Sequence, residues 1–265
     1  MNYIHLKTNI YEESIQDRLK YQPEIVEFHL NEQDLEDIPF LVSRIKQCKQ
    51  KGIKVYLHHP MKKGTQFLDI LSEEKEIKEY YDWSTTVLAE ICEQEDIYCV
   101  IHANYAGTMS SVVTKENTKK VKKRIQHFLK IKGGRRLLWE DSIEGVFSYQ
   151  NPDLLSHIIE PLNLSITVDI SHSFIALKGD NQKLQQIVKK TAPYANYYHV
   201  VDSLGVEHDS LELGKGKVEW SEIISYLQDK PFIFEIGLEP PYTDCTPMIK
   251  SGIYFKELLH TYVHQ

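Results

Sequence analysis

Short apolar runs alternate with longer amphipathic segments along the whole chain. Eight times, a run rich in β-branched or aromatic side chains is followed by a stretch whose apolar positions recur at helical spacing. This alternation predicts β-strands that each lead into an α-helix, and therefore a parallel sheet. The predicted strand and helix pairs are 3–6 with 13–21, 25–28 with 36–51, 55–58 with 72–95, 98–102 with 114–132, 136–140 with 152–162, 164–170 with 181–191, 196–201 with 220–227, and 231–235 with 246–263.

Eight strand and helix units in 265 residues predict a single (β/α)8 TIM barrel that spans residues 1–265. No linker rich in Pro, Gly or Ser divides the chain. An open doubly wound sheet is the alternative. Against it, no G-x-G-x-x-G follows the first strand, where that fold usually binds a dinucleotide.

The net charge of the chain indicates which classes of binding partner to expect. The formal net charge of -7 gives no electrostatic footprint for a polyanion, so nucleic acid is not expected as a partner. The basic stretch 119–132 has the spacing of an amphipathic helix and is interpreted as a solvated face. A small-molecule substrate is expected instead, and a homo-oligomer remains open.

The cellular context follows from what the sequence lacks. Four cysteines are scattered without C-x-x-C spacing, which argues against a disulfide framework and a zinc ribbon. The first residues lack the pattern of a signal peptide, and no apolar run approaches the ~18 residues of a membrane span. We therefore expect a cytoplasmic protein without a membrane partner.

Acidic and histidine side chains follow nearly every predicted strand. In a TIM barrel, the carboxyl ends of the strands meet at one mouth and carry the functional groups. Carboxylates brought together there would repel one another unless a cation neutralised them. Oxygen and imidazole donors without thiolate suit Mn, Zn, Co, Fe or Mg, so the sequence predicts a divalent metal site. The residues at these positions are Glu27, His58, His59, His102, Glu140, Asp169, His172, His199, Asp202, His208 and Glu235.

Five motifs occur in a fixed order along the second half of the chain. They are L-L-W-E-D at 137–141, T-V-D-I-S-H-S-F at 167–174, Y-H-V-V-D-S at 198–203, E-H-D-S-L-E-L-G-K-G-K-V-E-W at 207–220 and F-I-F-E-I at 232–236. This ordered set resembles a known superfamily, the xylose-isomerase-like TIM barrels, which includes sugar phosphate isomerases and epimerases and the endonuclease IV group, also called AP endonuclease family 2. The resemblance covers essentially the whole chain.

The resemblance implies roles for particular residues. Its shared four-ligand metal site corresponds to Glu140, Asp169, His199 and Glu235. In the isomerase and epimerase branch, Glu140 and Glu235 would exchange the substrate proton as acid and base while the metal holds adjacent oxygens. The residues expected to contact substrate are His172, His208, His102 and Tyr105.

The nuclease branch supplies the alternative function, a metal-dependent phosphoesterase with a multinuclear zinc or manganese cluster. The second-metal ligands would then come from His58, His102, His172 and His208. That branch has an aspartate two residues before the histidine matched by His208, whereas this chain has Val206. Few Lys or Arg residues near the expected mouth could neutralise DNA phosphates. A third interpretation is a sugar-binding barrel without turnover.

Three further polar residues have less specific interpretations. His59 follows His58 directly, so on a strand it would point the opposite way and is interpreted as structural. His5 and Glu27 close the first two strands. Each is predicted either to line the substrate pocket or to be a hydrogen-bonded filler of the barrel.

Overall fold

Eight parallel strands form one sheet in the order β1-β2-β3-β6-β7-β8-β9-β10 in the computed structural model, which describes residues 3–105, 112–238 and 244–263. Beyond β10, a bridge between Leu6 and Phe234 joins the last strand back to β1. The Phe234 N–H donates to the His5 carbonyl at 3.1 Å. The predicted (β/α)8 barrel is confirmed. Its strands are β1 His5–Thr8, β2 Ile25–His29, β3 Lys54–His58, β6 Tyr98–His102, β7 Leu137–Glu140, β8 Ile166–Asp169, β9 Ala195–His199 and β10 Phe232–Ile233.

Helices separate the strands and share their core with them. Their apolar faces belong to the same buried cluster as the outward-facing strand residues. None of the helices in the described part of the chain is long and apolar enough to cross a membrane. The α-helices are α1 Glu12–Leu19, α2 Ile38–Gln50, α3 Lys75–Glu95, α4 Lys115–Phe128, α5 Glu160–Leu162, α6 Ile170–Ala176, α7 Asn181–Thr191, α8 Ile224–Leu227 and α9 Thr246–Val263.

The largest departures from the predicted elements are in three regions. A small hairpin, β4 (Lys62–Lys63) and β5 (Gln66–Phe67), lies in the loop after β3 and was not expected. The predicted helix 152–162 is a π-helical stretch, Leu154–Ile159, that continues into α5. The predicted helix 220–227 is reduced to the 3-10 turn Trp220–Glu222 and the short α8.

The predicted strand 164–170 begins two residues before the observed strand and ends one residue after it. The observed strand ends at Asp169, and Ile170 already begins α6. The Asp169 carboxylate accepts the His172 N–H at 2.7 Å and so caps the N-terminus of that helix. A single residue therefore ends the strand, starts the helix and projects a carboxylate oxygen into the mouth of the barrel.

Asp202 organises the long loop after β9. Gly216 packs so closely against this carboxylate that a Cβ added there would lie 2.2 Å from Asp202 Oδ1. The buried Asp202 carboxylate accepts four hydrogen bonds and so holds in place a loop that has little secondary structure. The donors are the backbone N–H groups of Ser203 at 2.9 Å, Gly214 at 2.8 Å and Val218 at 3.2 Å, and the indole Nε1 of Trp220 at 3.1 Å.

Candidate metal centre

The alternation of side chains along the strands builds the mouth of the barrel. A separate buried cluster inside the barrel takes one residue from each of six strands: Ile25, Tyr56, Val100, Leu138, Tyr197 and Ile233. Two positions further along the chain, the side chains with the same orientation are Glu27, His58, His102, Glu140, His199 and Glu235. An apolar layer thus forms the floor beneath a layer of carboxylates and imidazoles.

Strand register brings these side chains into neighbouring pairs. His29 is the cross-strand partner of His58, His102 that of Glu140, and Asp169 that of His199. Glu235 follows β10 and completes the ring. Parallel strands in register therefore place the predicted ligands next to one another.

Glu140, Asp169, His199 and Glu235 form a tight group around one nitrogen. His199 Nδ1 lies 2.7 Å from Glu235 Oε2, 3.0 Å from Glu140 Oε1 and 3.7 Å from Asp169 Oδ2. One donor atom from each of the four residues lies within 4.8 Å of the others. Such a set of three carboxylates and one imidazole is able to surround a single cation.

The electrostatics of this group favour a positive charge at its centre. Burial raises the pKa of Asp169 to about 8, with further contributions from Glu140 and Glu235. For His199, the neighbouring carboxylates outweigh burial and raise its pKa well above the usual value. Asp169 Oδ2 is buried and has no hydrogen-bond partner among the described residues. The donor set and this unsatisfied oxygen fit a divalent metal ion with oxygen and nitrogen ligands.

The second nitrogen of His199 contacts another carboxylate. His199 Nε2 lies 3.1 Å from Glu27 Oε2, and both side chains are completely buried. A metal-bound histidine commonly donates its remaining N–H to a carboxylate, which fixes the ring and its tautomer. Glu27 is therefore a hydrogen-bonded part of the site, one of the two roles the sequence left open for it.

Two histidines meet the other oxygen of Glu140. His102 Nε2 lies 2.7 Å from Glu140 Oε2, and His58 Nε2 lies 3.3 Å from the same atom. His58 Nδ1 contacts the His59 carbonyl at 2.9 Å, and since a carbonyl only accepts, this nitrogen is the donor. In neutral His58 the lone pair is therefore on Nε2. His58, His102 and Glu140 form a second group that is able to hold a cation.

A cavity of about 430 Å³ opens above these groups. Met61 and Phe67 border it from the loop and hairpin after β3, and Glu235 is the one residue of the four-ligand group that borders it. The four predicted substrate contacts, His102, Tyr105, His172 and His208, all line this cavity. Its size and mixed lining suit a small polar molecule.

His172 and His208 contact each other in the wall of the cavity. His172 Nδ1 lies 2.9 Å from the Asp141 carbonyl and so donates to it, while its Nε2 lies 3.2 Å from His208 Nε2. Neither histidine belongs to a metal-ligating group among the residues that the structure describes. Val206, where the nuclease branch has an aspartate, is exposed. Tyr105 donates its hydroxyl to the His59 carbonyl at 3.0 Å.

His59 and His5 lie away from the four-ligand group. His59 Nε2 lies 2.8 Å from Ser84 Oγ on α3, so its ring points to the outside of the barrel, as strand alternation predicts. His5 begins β1 at the opposite end of the barrel, where its Nε2 lies 4.0 Å from Glu24. His5 therefore lines a separate pocket at that end of the barrel and not the cavity beside the four-ligand group.

The sequence pattern did not indicate two residues of the site, His29 and Lys7. His29 Nε2 lies 2.7 Å from Glu27 Oε1, and Lys7 Nζ lies 3.3 Å from Glu235 Oε1. The predicted strands ended at residues 6 and 28, just before each of them. If each predicted strand is extended by one residue, the alternation of side chains along it directs Lys7 and His29 into the barrel.

Comparisons with known proteins support the fold. No family model matches the chain, and no curated protein matches it. Among solved structures, the chain is similar to a D-tagatose 3-epimerase-like protein, with a TM-score of 0.78, 16% identity, and coverage of 97% of this chain and 98% of that one.

Two further structures have the same architecture. The TTHB071 protein from Thermus thermophilus, soaked with ZnCl2, matches with a TM-score of 0.68 and 18% identity over 97% of this chain and 98% of that one. A xylose isomerase domain protein from Planctomyces limnophilus matches with a TM-score of 0.70 and 14% identity over 99% of this chain and 98% of that one. At such identities the likeness establishes the fold.

Proposed function

We propose that this chain, which has the fold of the xylose-isomerase-like barrels, is a divalent-metal-dependent isomerase or epimerase of a small sugar or polyol-like carbonyl compound. The observation that carries the proposal is the convergence of Glu140, Asp169 and Glu235 on His199 Nδ1 beside a cavity of about 430 Å³. Similar structures include proteins described as sugar epimerases, and their sugar chemistry agrees with this site.

The chemistry requires removal of a proton from carbon next to a carbonyl and its return. A divalent ion held by Glu140, Asp169, His199 and Glu235 would supply the positive charge that acidifies this C–H bond. Glu235 borders the cavity, and His199 and Lys7 outweigh burial to lower its pKa well below the usual value. Glu235 is therefore ionised at neutral pH and is our candidate for the base that takes the proton.

Glu140 is the proposed partner of Glu235 in the proton exchange. It is completely buried, and His102 and His199 outweigh that burial to lower its pKa well below the usual value. Its Oε1 faces His199 and its Oε2 faces His102, at 3.0 Å and 2.7 Å. His102, His172, His208 and Tyr105 are the proposed substrate contacts, because their rings line the cavity on the path to these carboxylates.

The test is proton exchange with solvent. Protein stripped of metal and reloaded with one equivalent of Mn²⁺ is incubated in D₂O with a panel of ketohexoses and inososes, and NMR follows deuterium at the carbons next to the carbonyl. We expect exchange and a new isomer with at least one substrate. Glu235→Gln should lose the metal and the exchange, whereas Glu90→Gln, which changes an exposed carboxylate on α3 outside the ligand group, should keep both.

A second candidate function rests on the pair of histidines at Glu140 Oε2. His58 and His102 approach that oxygen at 3.3 Å and 2.7 Å, as second-metal ligands of a phosphoesterase would. Loaded protein that hydrolyses bis(p-nitrophenyl) phosphate or nicks apurinic DNA, and exchanges no proton on any sugar, would replace the isomerase proposal. Bound metal without either activity would point to a binding role.

A further inference from the structure

The carboxyl end of β2 adds a group of potential ligands that the isomerase proposal does not use. Glu27, His29 and His58 each offer a donor atom, and the three atoms lie within 4.8 Å of one another. Glu27 is completely buried and His58 is 3% exposed. The His29 side chain is 19% exposed, which leaves the group a route to solvent.

Two polar atoms of this group lack a hydrogen-bond partner within the described residues. Glu27 Oε1 and His29 Nε2 are buried, and neither makes a hydrogen bond of acceptable geometry within the described residues, although they lie 2.7 Å apart. Leaving buried polar atoms without a hydrogen bond is costly, and a cation in reach of both atoms would satisfy them. The other oxygen of Glu27 is already engaged by His199 Nε2 at 3.1 Å.

His58 supplies the third donor from the neighbouring strand. Its ring stacks on His29 with the centroids 4.3 Å apart and the planes 16° from parallel. Because His58 Nδ1 donates to the His59 carbonyl, Nε2 carries the lone pair in the neutral ring. His58 Nε2 is therefore able to coordinate an ion held by Glu27 and His29, or an ion held by His102 and Glu140, but not both at once.

We propose that Glu27, His29 and His58 form a second divalent-cation site, called here the β2 site, which competes with the His58–His102–Glu140 group for a second ion. Two imidazoles and one carboxylate are a donor set that Zn²⁺ accepts. Glu235 lies between the β2 site and the other three residues of the four-ligand group, because its Oε2 faces His199 while its Oε1 is 3.6 Å from His29 Nε2. Lys7 Nζ holds that same Oε1 at 3.3 Å, so the β2 site consists of the three named ligands.

The β2 site is separate from the proposed isomerase chemistry and has its own readout, metal stoichiometry. Protein stripped with chelator is titrated with ZnCl2, desalted and analysed for zinc per chain. We expect two equivalents in the natural sequence and two in His102→Ala, because the β2 site still takes the second ion. The double variant His29→Ala/His102→Ala should keep one, the ion held by Glu140, Asp169, His199 and Glu235.

The matched control is His157→Ala, which removes a histidine whose side chain is 64% exposed and lies 3.4 Å from the Asp153 carboxylate, outside the metal-ligating groups. It should leave the stoichiometry unchanged. One equivalent in His102→Ala would overturn the β2 site, and so would two equivalents in the double variant. Loss of the remaining ion from the double variant would instead count against the four-ligand site on which the proposed function rests.

A direct measurement covers the case in which a variant fails to fold. Zinc-edge anomalous diffraction from crystals of the natural protein soaked in ZnCl2 locates each ion. We expect a peak about 2.0–2.2 Å from a Glu27 oxygen and the His29 and His58 nitrogens. A second peak bound only by His58, His102 and Glu140, with no density near His29, would reject the proposal.

Discussion

His199 donates from Nε2 to Glu27 Oε2 at 3.1 Å while its Nδ1 faces the carboxylates of the proposed metal site. The two ends of one imidazole ring thus connect β2 to β7 and β10 through the centre of the barrel. The Glu27 carboxylate holds the ring with its Nδ1 lone pair directed at the ion that we propose. Its influence on that ion is therefore indirect, through the orientation and basicity of His199.

Glu27→Gln should weaken binding of the first ion about 10- to 100-fold, because the amide keeps the size of the side chain but loses its charge. The measurement is competition with a chromophoric chelator at one equivalent of metal or less. His157→Ala is the control, since its side chain is 64% exposed and lies outside the metal-ligating groups. Equal affinity in Glu27→Gln and the natural protein would show that His199 needs no carboxylate partner.

Asp202→Ala should lower the free energy of unfolding by about 3 kcal/mol or more, because four donors lose their common acceptor in a buried place. Gly216→Ala should also destabilise, by about 1–3 kcal/mol, since its Cβ would meet the same carboxylate. Urea unfolding of metal-free protein measures both. Asp229→Ala, which changes an exposed aspartate, should stay within about 0.5 kcal/mol of the natural protein.

His5→Gln should reduce the loss of stability at acidic pH. Burial lowers the pKa of His5 to about 4 although Glu24 pulls it upward. The unfolded chain binds the proton near pH 6.5, so stability falls as the pH drops from about 6.5 towards 4, and the loss from this group is about 2 kcal/mol at pH 5. Urea unfolding at pH 8 and pH 5, in chelator, should show the natural protein losing about that much more than the variant.

All other titratable groups are present in both proteins, so their contributions cancel in the comparison. The difference between the two pH effects therefore reports His5 alone. An identical pH dependence in both proteins would mean that His5 is as readily protonated in the barrel as in the unfolded chain.

The order of elements and most residues of the mouth could be predicted from the sequence because both follow from local patterns. Glu140 and His199 were found simply as polar residues that end apolar strands. The pairing of His29 with His58 could not be predicted in this way, since it depends on the stagger between two strands. The end of the strand at Asp169 was misplaced for a different reason. Ile170 has a high β-propensity, but the Asp169 side chain caps α6, so Ile170 is helical.

The hairpin after β3 was also beyond sequence reasoning. Lys62 and Lys63 pair with Gln66 and Phe67 over only four residues, which leaves no detectable alternation. Phe67 nevertheless borders the cavity. Parts of the mouth that decide which molecule fits there thus come from loop geometry, which a local pattern does not encode.

The seam between the first and last strands has a consequence for the whole chain. Leu6 and Phe234 close it, and Glu235 is the next residue after that closure. Glu235 is held from across the seam by Lys7 at 3.3 Å. An ion bound by Glu235 would therefore also stabilise the junction between the first and the last strand of the barrel.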